Sequence, residues 1–280
     1  MNDINLLDET FDKNQSHNYH MSIQTGNDGF SLCLLDTIRN KYIAFRHHPM
    51  DKSDHNFEEI ISIIQSDPLL KLPYKSVSHM LTDGKSTLVP TFFFEEKKEQ
   101  LIFQFNQVQE DFSEVLFNNL SNAMVVNIFA YPKAYFAKIK EIYPNLKAFH
   151  RSSPFIETLV QNSAKWVTPK CFVAINKKEI DIGIAQKKKL EFFNSFTYKE
   201  HTDIVYYILN IIEQFKLSAM ETEVYISVDL ENHDEIFEFL NNYLNLIKFI
   251  HPSDQYTYSY IFDELQLTRF ANLFNLALCA

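Results

Sequence analysis

From the N-terminus, apolar positions first recur with a period of two. Short runs at 20–26 (HMSIQTG), 29–36 (GFSLCLLD) and 41–48 (KYIAFRHH) predict three successive strands, separated by turn chemistry at Asn27-Asp28 and Arg39-Asn40. The period changes to that of a helix near 54–66, where Phe57, Ile60, Ile61 and Ile64 share a face and Glu58 and Glu59 fall in the first turn. Pro68 and Pro73 close that segment. A strand at 75–82, a shorter one at 86–90 and a helix over about 93–105 come next, while 106–122 is polar and shows no clear period. The continuous apolar run AMVVNIFAY (123–131) predicts a strand buried on both faces. A helix at 132–143, a strand at 146–151 and a helix at 154–164 follow, the last with Ser153 as N-cap and Pro154 in its first turn.

The pattern then starts again. CFVAIN (171–176), EIDIGIAQ (179–186) and KLEFFNSF (189–196) read as three strands, followed by an amphipathic helix from Asp203 to Phe215 capped by Thr202. A strand at 223–229 and a helix at 234–245 complete the second series; 256–261 alternates like an edge strand and 267–278 reads as a closing helix. Laid over each other, Ile23 meets Val173, Leu34 meets Ile184, Phe45 meets Phe193 and Ile60 meets Ile208. A period near 150 residues predicts two copies of one lobe rather than a solenoid. The fold class expected is α/β: two lobes, each a mixed sheet of about five strands with flanking helices. The expected division is a polar, poorly ordered 1–18, a first lobe at 19–166 and a second at 167–280.

Composition narrows the chemistry. At 280 residues, average usage would supply about 20 glycines, yet the chain has four: Gly26, Gly29, Gly84 and Gly183. Loops that grip phosphate through the backbone need several residues without a Cβ, and neither G-x-x-x-x-G-K-[ST] nor G-x-G-x-x-G occurs. A formal net charge of −10 removes a whole-protein basic field for nucleic acid. Cys33, Cys171 and Cys279 lack metal or disulfide spacing, which fits a reducing compartment. The acidic start MNDINLLDETFDK is no signal peptide, and no apolar run approaches the ~20 residues that span a bilayer. The expectation is a cytoplasmic protein without membrane insertion.

Three strands, helix, strand, helix, stated twice, resembles the duplicated ribonuclease-H-like fold of the actin, Hsp70 and sugar-kinase superfamily. The stretch VVNIFAYPKAYFAKIKEIYPNLKAFHRSSPFIETLV (125–160) is similar to the family of actin-like bacterial pilus-assembly ATPases. More closely, SIQTGNDGFSLCLLD, KLEFFNSFTYK and RFANLFNLALC resemble an uncharacterised Bacteroidetes family with an actin-like ATPase fold and no assigned function. In active members, the first hairpin of each lobe carries Asp-x-Gly, whose acid positions Mg²⁺ and whose glycine admits phosphate to the backbone. Carried over by position, lobe one has Gln24-Thr25-Gly26 and lobe two has Asn176-Lys177-Lys178. An amide cannot supply a carboxylate's charge to a hard dication, so Gln24, Gly26, Asn176 and Lys178 are expected to be degenerate nucleotide-loop positions, with no catalytic residue and no metal ligand. Asp181-Ile182-Gly183 matches the motif's letters but falls on the second strand of its hairpin, where strand packing explains it.

Other chemistry is thinly supported. A two-metal nuclease would have Asp36, Glu58, Glu59 and Asp83 to draw on, and a solvated loop or helix face accounts for each. His47-His48, with His20 nearby in sequence, could suggest a metal site, but neighbours on a strand face opposite ways and cannot easily chelate one ion, so His47 and His48 read as surface histidines near a strand end. Cys33 and Cys171 read as buried thiols. Seven lysines between 165 and 189 make both turns of the second hairpin set basic, so Lys177, Lys178, Lys187, Lys188 and Lys189 are candidate anion contacts for RNA, phosphate or an acidic protein face. Tyr256, Tyr258 and Tyr260 are placed either to dock a partner or to cover the protein's own sheet. The function expected is a non-catalytic pseudo-ATPase that scaffolds an unidentified protein partner and holds no cofactor. The alternative is a divergent ATP- and Mg-dependent ATPase or kinase.

Overall fold

A computed structural model describes residues 3–26, 29–50, 57–228 and 233–279. The chain is mixed α/β and divides into two compact units. Unit one holds residues 1–154 together with 253–265 and 273–280; unit two holds 155–252 and 266–272. The division therefore falls earlier than the expected 166/167 border, and two C-terminal segments return to the first unit.

Unit one opens with β1 (Ile4–Leu7), in a region expected to be poorly ordered. It pairs antiparallel with β4 (Lys41–Pro49), Ile4 opposite His47 and Leu7 opposite Ala44. Asp8 then fastens it, accepting from Lys41 Nζ at 2.9 Å and from the Ser259 hydroxyl. β2 (Tyr19–Gly26) and β3 (Gly29–Asp36) join β4 in an antiparallel run, and β5 (Ser76–Leu81) and β9 (Leu146–His150) extend it in parallel, giving the order β1-β4-β3-β2-β5-β9. β2 and β3 are buried along their whole length, as expected of strands covered on both faces. One face is sealed by α1 (Phe57–Ser66), which buries Ile60, Ile61 and Ile64, and by α3 (Lys133–Ile142), which buries Tyr135 and Ile139. The expected start of α1 at residue 54 lies outside the described residues.

Residues 86–132 form a separate three-stranded antiparallel sheet, β6 (Ser86–Pro90), β8 (Val125–Pro132) and β7 (Ser113–Leu120), with β8 central. β7 occupies the polar stretch that showed no period. α2 runs Glu99–Asn106 rather than from 93: a 3-10 turn at Thr91–Phe93 comes first, and Lys97 at φ 71° interrupts the helical path.

After α4 (Ser152–Asn162), unit two repeats the larger sheet. β10 (Lys170–Ile175), β11 (Glu179–Gln186) and β12 (Lys189–Thr197) are antiparallel, and β13 (Val224–Val228) and β14 (Ile247–Phe249) add in parallel, in the order β12-β11-β10-β13-β14. Order and sense are those of β4-β3-β2-β5-β9. The register repeats as well: Ile23 faces Leu32 as Val173 faces Ile182, and a bulge follows Leu34 as another follows Ile184. α5 (His201–Gln214) and α6 (His233–Asn241) cover one face, with Ile204, Ile208, Ile212 and Ile236 buried. The N-cap of α5 is Glu200, not Thr202, because Asp203 Oδ2 turns back to accept from the Glu200 and Lys199 amides at 3.1 and 2.9 Å.

The expected edge strand at 256–261 reduces to β15 (Thr257–Tyr258), which pairs with β4 of unit one. The closing helix is short, α7 (Ala271–Asn275), and runs into a 3-10 turn at Leu276–Cys279.

Candidate functional site

In open α/β sheets ligands gather beyond the carboxyl ends of the parallel strands. In unit one that edge consists of the ends of β2, β5 and β9, with Gln24-Thr25-Gly26, Leu81-Thr82 and His150-Arg151-Ser152 side by side. The apex of the β2–β3 turn, Asn27-Asp28, lies outside the described residues.

Gln24 is buried in β2, opposite Ser31 of β3 and Met80 of β5. The face it shares with Met80 is covered by the chain's own C-terminal segment, where Leu276 packs with Met80 and Phe149. Phe274 continues that cover, its ring 4.9 Å from Tyr42 and 5.9 Å from Phe45, while its carbonyl accepts from the Tyr42 hydroxyl. Gly26 pairs with Gly29, whose φ of +131° is closed to other residues; a Cβ there would stand 2.1 Å from the His48 carbonyl oxygen.

The opposite face carries a buried polar cluster. The His79 ring lies 2.7 Å from the Tyr131 hydroxyl through Nδ1, and through Nε2 it lies 2.9 Å from both the Thr25 and the Tyr135 hydroxyls. Burial holds its pKa down at about 3, so the ring is neutral and engaged at both nitrogens. Beside it, His150 Nδ1 meets the Ser152 hydroxyl at 2.7 Å, and Asn127 Nδ2 donates to Ser152 (2.8 Å) and Ser153 (2.9 Å). Ser153 passes the chain on to Asn118 Oδ1 at 3.0 Å. Arg151 is 2% exposed and donates to the Thr82 carbonyl. One network centres on His79 and a second on Ser152 and Ser153, and apart from the half-buried Asn118 their members are buried, an arrangement suited to holding strand ends together. His79, Asn127 and His150 were not singled out from the sequence; the available signal was a polar residue within an apolar strand, His79 in SVSHML and Asn127 in VVNIFAY. Ser153, expected as the N-cap, lies inside the first turn of α4.

In unit two, the shared register aligns Gly26 with Asn176 and Gln24 with Ala174. The residue that corresponds to Gln24 is therefore Ala174, two residues before Asn176, because both loops contain two residues. Asn176 follows β10, its backbone amide donating to the Glu179 carbonyl (2.9 Å) and its carbonyl accepting from the Tyr198 hydroxyl (2.6 Å). Asp181 is fully buried directly across from Ala174 and accepts from Ser195 at 2.6 Å. Gly183 sits in mid-strand beneath α4, where a Cβ would come within 2.5 Å of Leu159 and 3.1 Å of Phe155. Its role is close helix–sheet packing.

The candidate lysines do not gather. Lys177 and Lys178 occupy the β10–β11 turn and Lys187 and Lys188 the β11–β12 turn, at opposite ends of β11 and so roughly 25–30 Å apart. Lys187 and Lys188 both adopt the left-handed region (φ 51° and 62°), and Ser163 Oγ accepts from the Lys188 amide at 2.9 Å. Lys189 bonds Glu191 at 3.0 Å. Lys170 is taken by Glu223 and lies 5.1 Å over the Trp166 ring.

Other expectations need revision. His47 is buried with Ser31 Oγ 2.8 Å from its Nδ1 and is not a surface histidine; His20 is buried as well, against Ser76. Asp36 is buried too, its carboxylate accepting from the Ile38 and Arg39 amides at 2.9 and 3.1 Å; it shapes a turn. Cys33 and Cys171 are buried, and burial pushes both thiols up, Cys171 to about 12. Tyr258 stacks on Tyr42 (5.4 Å) and Tyr256 meets it edge-on (5.5 Å), so these two cover the sheet of unit one, whereas Tyr260 is exposed. Among the described residues no group of three His, Cys, Asp or Glu is placed to hold a metal, and no helix is long and apolar enough to cross a membrane.

The model of a family of proteins of unknown function, DUF3822, matches residues 8–247. The chain belongs to this family. Among solved structures, a Bacteroides thetaiotaomicron protein with an actin-like ATPase fold and unknown function matches with a TM-score of 0.78 at 24% identity, over 86% of this chain and 94% of that one. The PilM–PilN type IV pilus biogenesis complex matches at 0.57 and 12% identity, over 92% and 97%. The ethanolamine utilization protein EutJ from Carboxydothermus hydrogenoformans matches at 0.50 and 9%, over 94% and 90%. No curated protein matches. These likenesses establish the fold of this DUF3822 member as actin-like, with two ribonuclease-H-like lobes.

Proposed function

We propose that this DUF3822 protein is a non-catalytic, cytoplasmic member of the actin-like fold, a pseudo-ATPase that works by holding a protein partner and needs no nucleotide or metal. Duplication of an ancestral lobe accounts for the shared strand order, register and bulge. The observation that carries the reading is Gln24. It occupies the metal-acid position of the first hairpin, buried on a face that Leu276 closes with Met80 and Phe149. Ala174, at the corresponding place in unit two, offers no oxygen from its side chain. A dication that is usually held through one or two carboxylates and phosphate finds neither acid on the first strands. The PilM structure is recorded as a complex with PilN, and this supports a protein partner for the present chain.

One feature favours the alternative, a divergent ATP-dependent ATPase or kinase. The Asp181 carboxylate lies one strand from Ala174. It is, however, fully buried and engaged by Ser195, which suits packing better than metal capture. The test is phosphate release from Mg-ATP by the purified chain. No turnover above the protein-free rate is expected; turnover abolished by Asp181→Asn in a variant that keeps its melting temperature would establish the alternative.

A further inference from the structure

The three-stranded subdomain of unit one shows an unusual surface. α2 packs Phe103, fully buried, and Ile102 onto Val126 and Ile128 of β8. Its outward side is apolar as well: Leu101 and Phe105, one helical turn apart, are 68% and 89% exposed. Phe92 and Phe93, in edge contact at 5.3 Å, precede the helix, and Val108 and Phe112 follow it, all four exposed. Of the sixteen large apolar side chains exposed among the described residues, eight lie within 92–124, so this is a concentration rather than the usual scatter.

The charge around it selects the occupant. Over 91–112 there are five acids (Glu95, Glu96, Glu99, Glu110, Asp111) and two bases (Lys97, Lys98), a net of −3, and Lys98 is already paired with Glu95. An anionic lipid surface would be repelled by such a rim, whereas a helix with apolar residues on one face and Lys or Arg beside them would be complementary. We propose that the α2 face, centred on Leu101 and Phe105, docks an amphipathic basic helix of a partner protein. This rests on the reading of the chain as a partner-holding protein and names the partner's chemistry.

The probe is a synthetic amphipathic helical peptide of leucine and lysine, titrated into the full-length protein by fluorescence anisotropy, with a leucine–glutamate peptide as control. Saturable binding of the lysine peptide is expected, weakened about tenfold or more by Leu101→Gln/Phe105→Gln and weakened by salt. Glu110→Lys/Asp111→Lys should turn the preference toward the glutamate peptide, a reversal that mere stickiness would not produce. All variants change exposed positions, so their melting temperatures should match that of the parent. Absence of saturable binding, equal binding by parent and double variant, binding of phospholipid vesicles instead, or self-association through this face would each overturn the proposal. Mg-ATP binding, measured separately, would overturn the pseudo-ATPase reading and leave this one standing.

Discussion

Gly183 shows how a single residue separates a chemical reading from a packing one. Its letters, Asp181-Ile182-Gly183, imitate a phosphate motif, but its missing Cβ admits Leu159 and Phe155 of α4. Gly183→Ala is expected to destabilise the protein by about 1–3 kcal/mol in urea unfolding, the usual cost of overpacking; an unchanged midpoint would mean that helix and strand are not so closely seated. Buried histidines supply a second test. Burial holds His79 at about 3, and burial together with Lys147 and Lys75 holds His20 at about 4, against an ordinary 6.5. The unfolded chain therefore binds protons that the native one refuses. Stability from these groups should be level above pH 6.5 and fall below it, by about 1.4 kcal/mol per pH unit per histidine, until the native values are reached. Urea midpoints between pH 7 and 5 should show this slope, and His79→Gln should make it shallower.

At the scale of elements, strong periodicity was legible and weak periodicity was not. β2, β3, β4 and β8 lie where apolar runs placed them. β7 (SEVLFNNL) was invisible because most of its residues are only half-buried and Leu120 alone is fully so, and β1 and β14 because three or four residues are too few to show a period. The turn at the lysine hairpin falls where the sequence placed it, between Gln186 and Lys189, but nothing in Lys187-Lys188 announces two left-handed residues, a conformation that Asn-Gly adopts readily. Lys187→Asn/Lys188→Gly should therefore stabilise the protein by about 0.5–1 kcal/mol, read as a higher urea midpoint. A lower midpoint would show that the lysine side chains themselves hold the turn. Of the candidate site the sequence offered Gln24 and Asn176 as positions, whereas the register sets Ala174 in correspondence with Gln24, which no motif announced. The hydrogen bonds of His79, Asn127 and His150 join residues 25 to 152, and no local pattern announces them.

For the whole molecule, the repeat of strands predicted the architecture, since each lobe's series of strand and helix periods fixes its own sheet. The assignment of the tail was beyond its reach. Residues 273–279 follow the second series in sequence but pack on the first sheet, where Cys33 Sγ approaches the Leu273 carbonyl at 3.9 Å, and the Ser253 amide donates to Asn275 Oδ1 at 2.7 Å. That return covers the face bearing Gln24, where Leu276 packs with Met80 and Phe149. A ligand that binds only the folded state must raise its melting temperature, so the direct test is thermal unfolding of the intact chain across a titration of Mg-ATP. The account predicts a flat melting temperature at every concentration; a saturable, magnesium-dependent rise would contradict it.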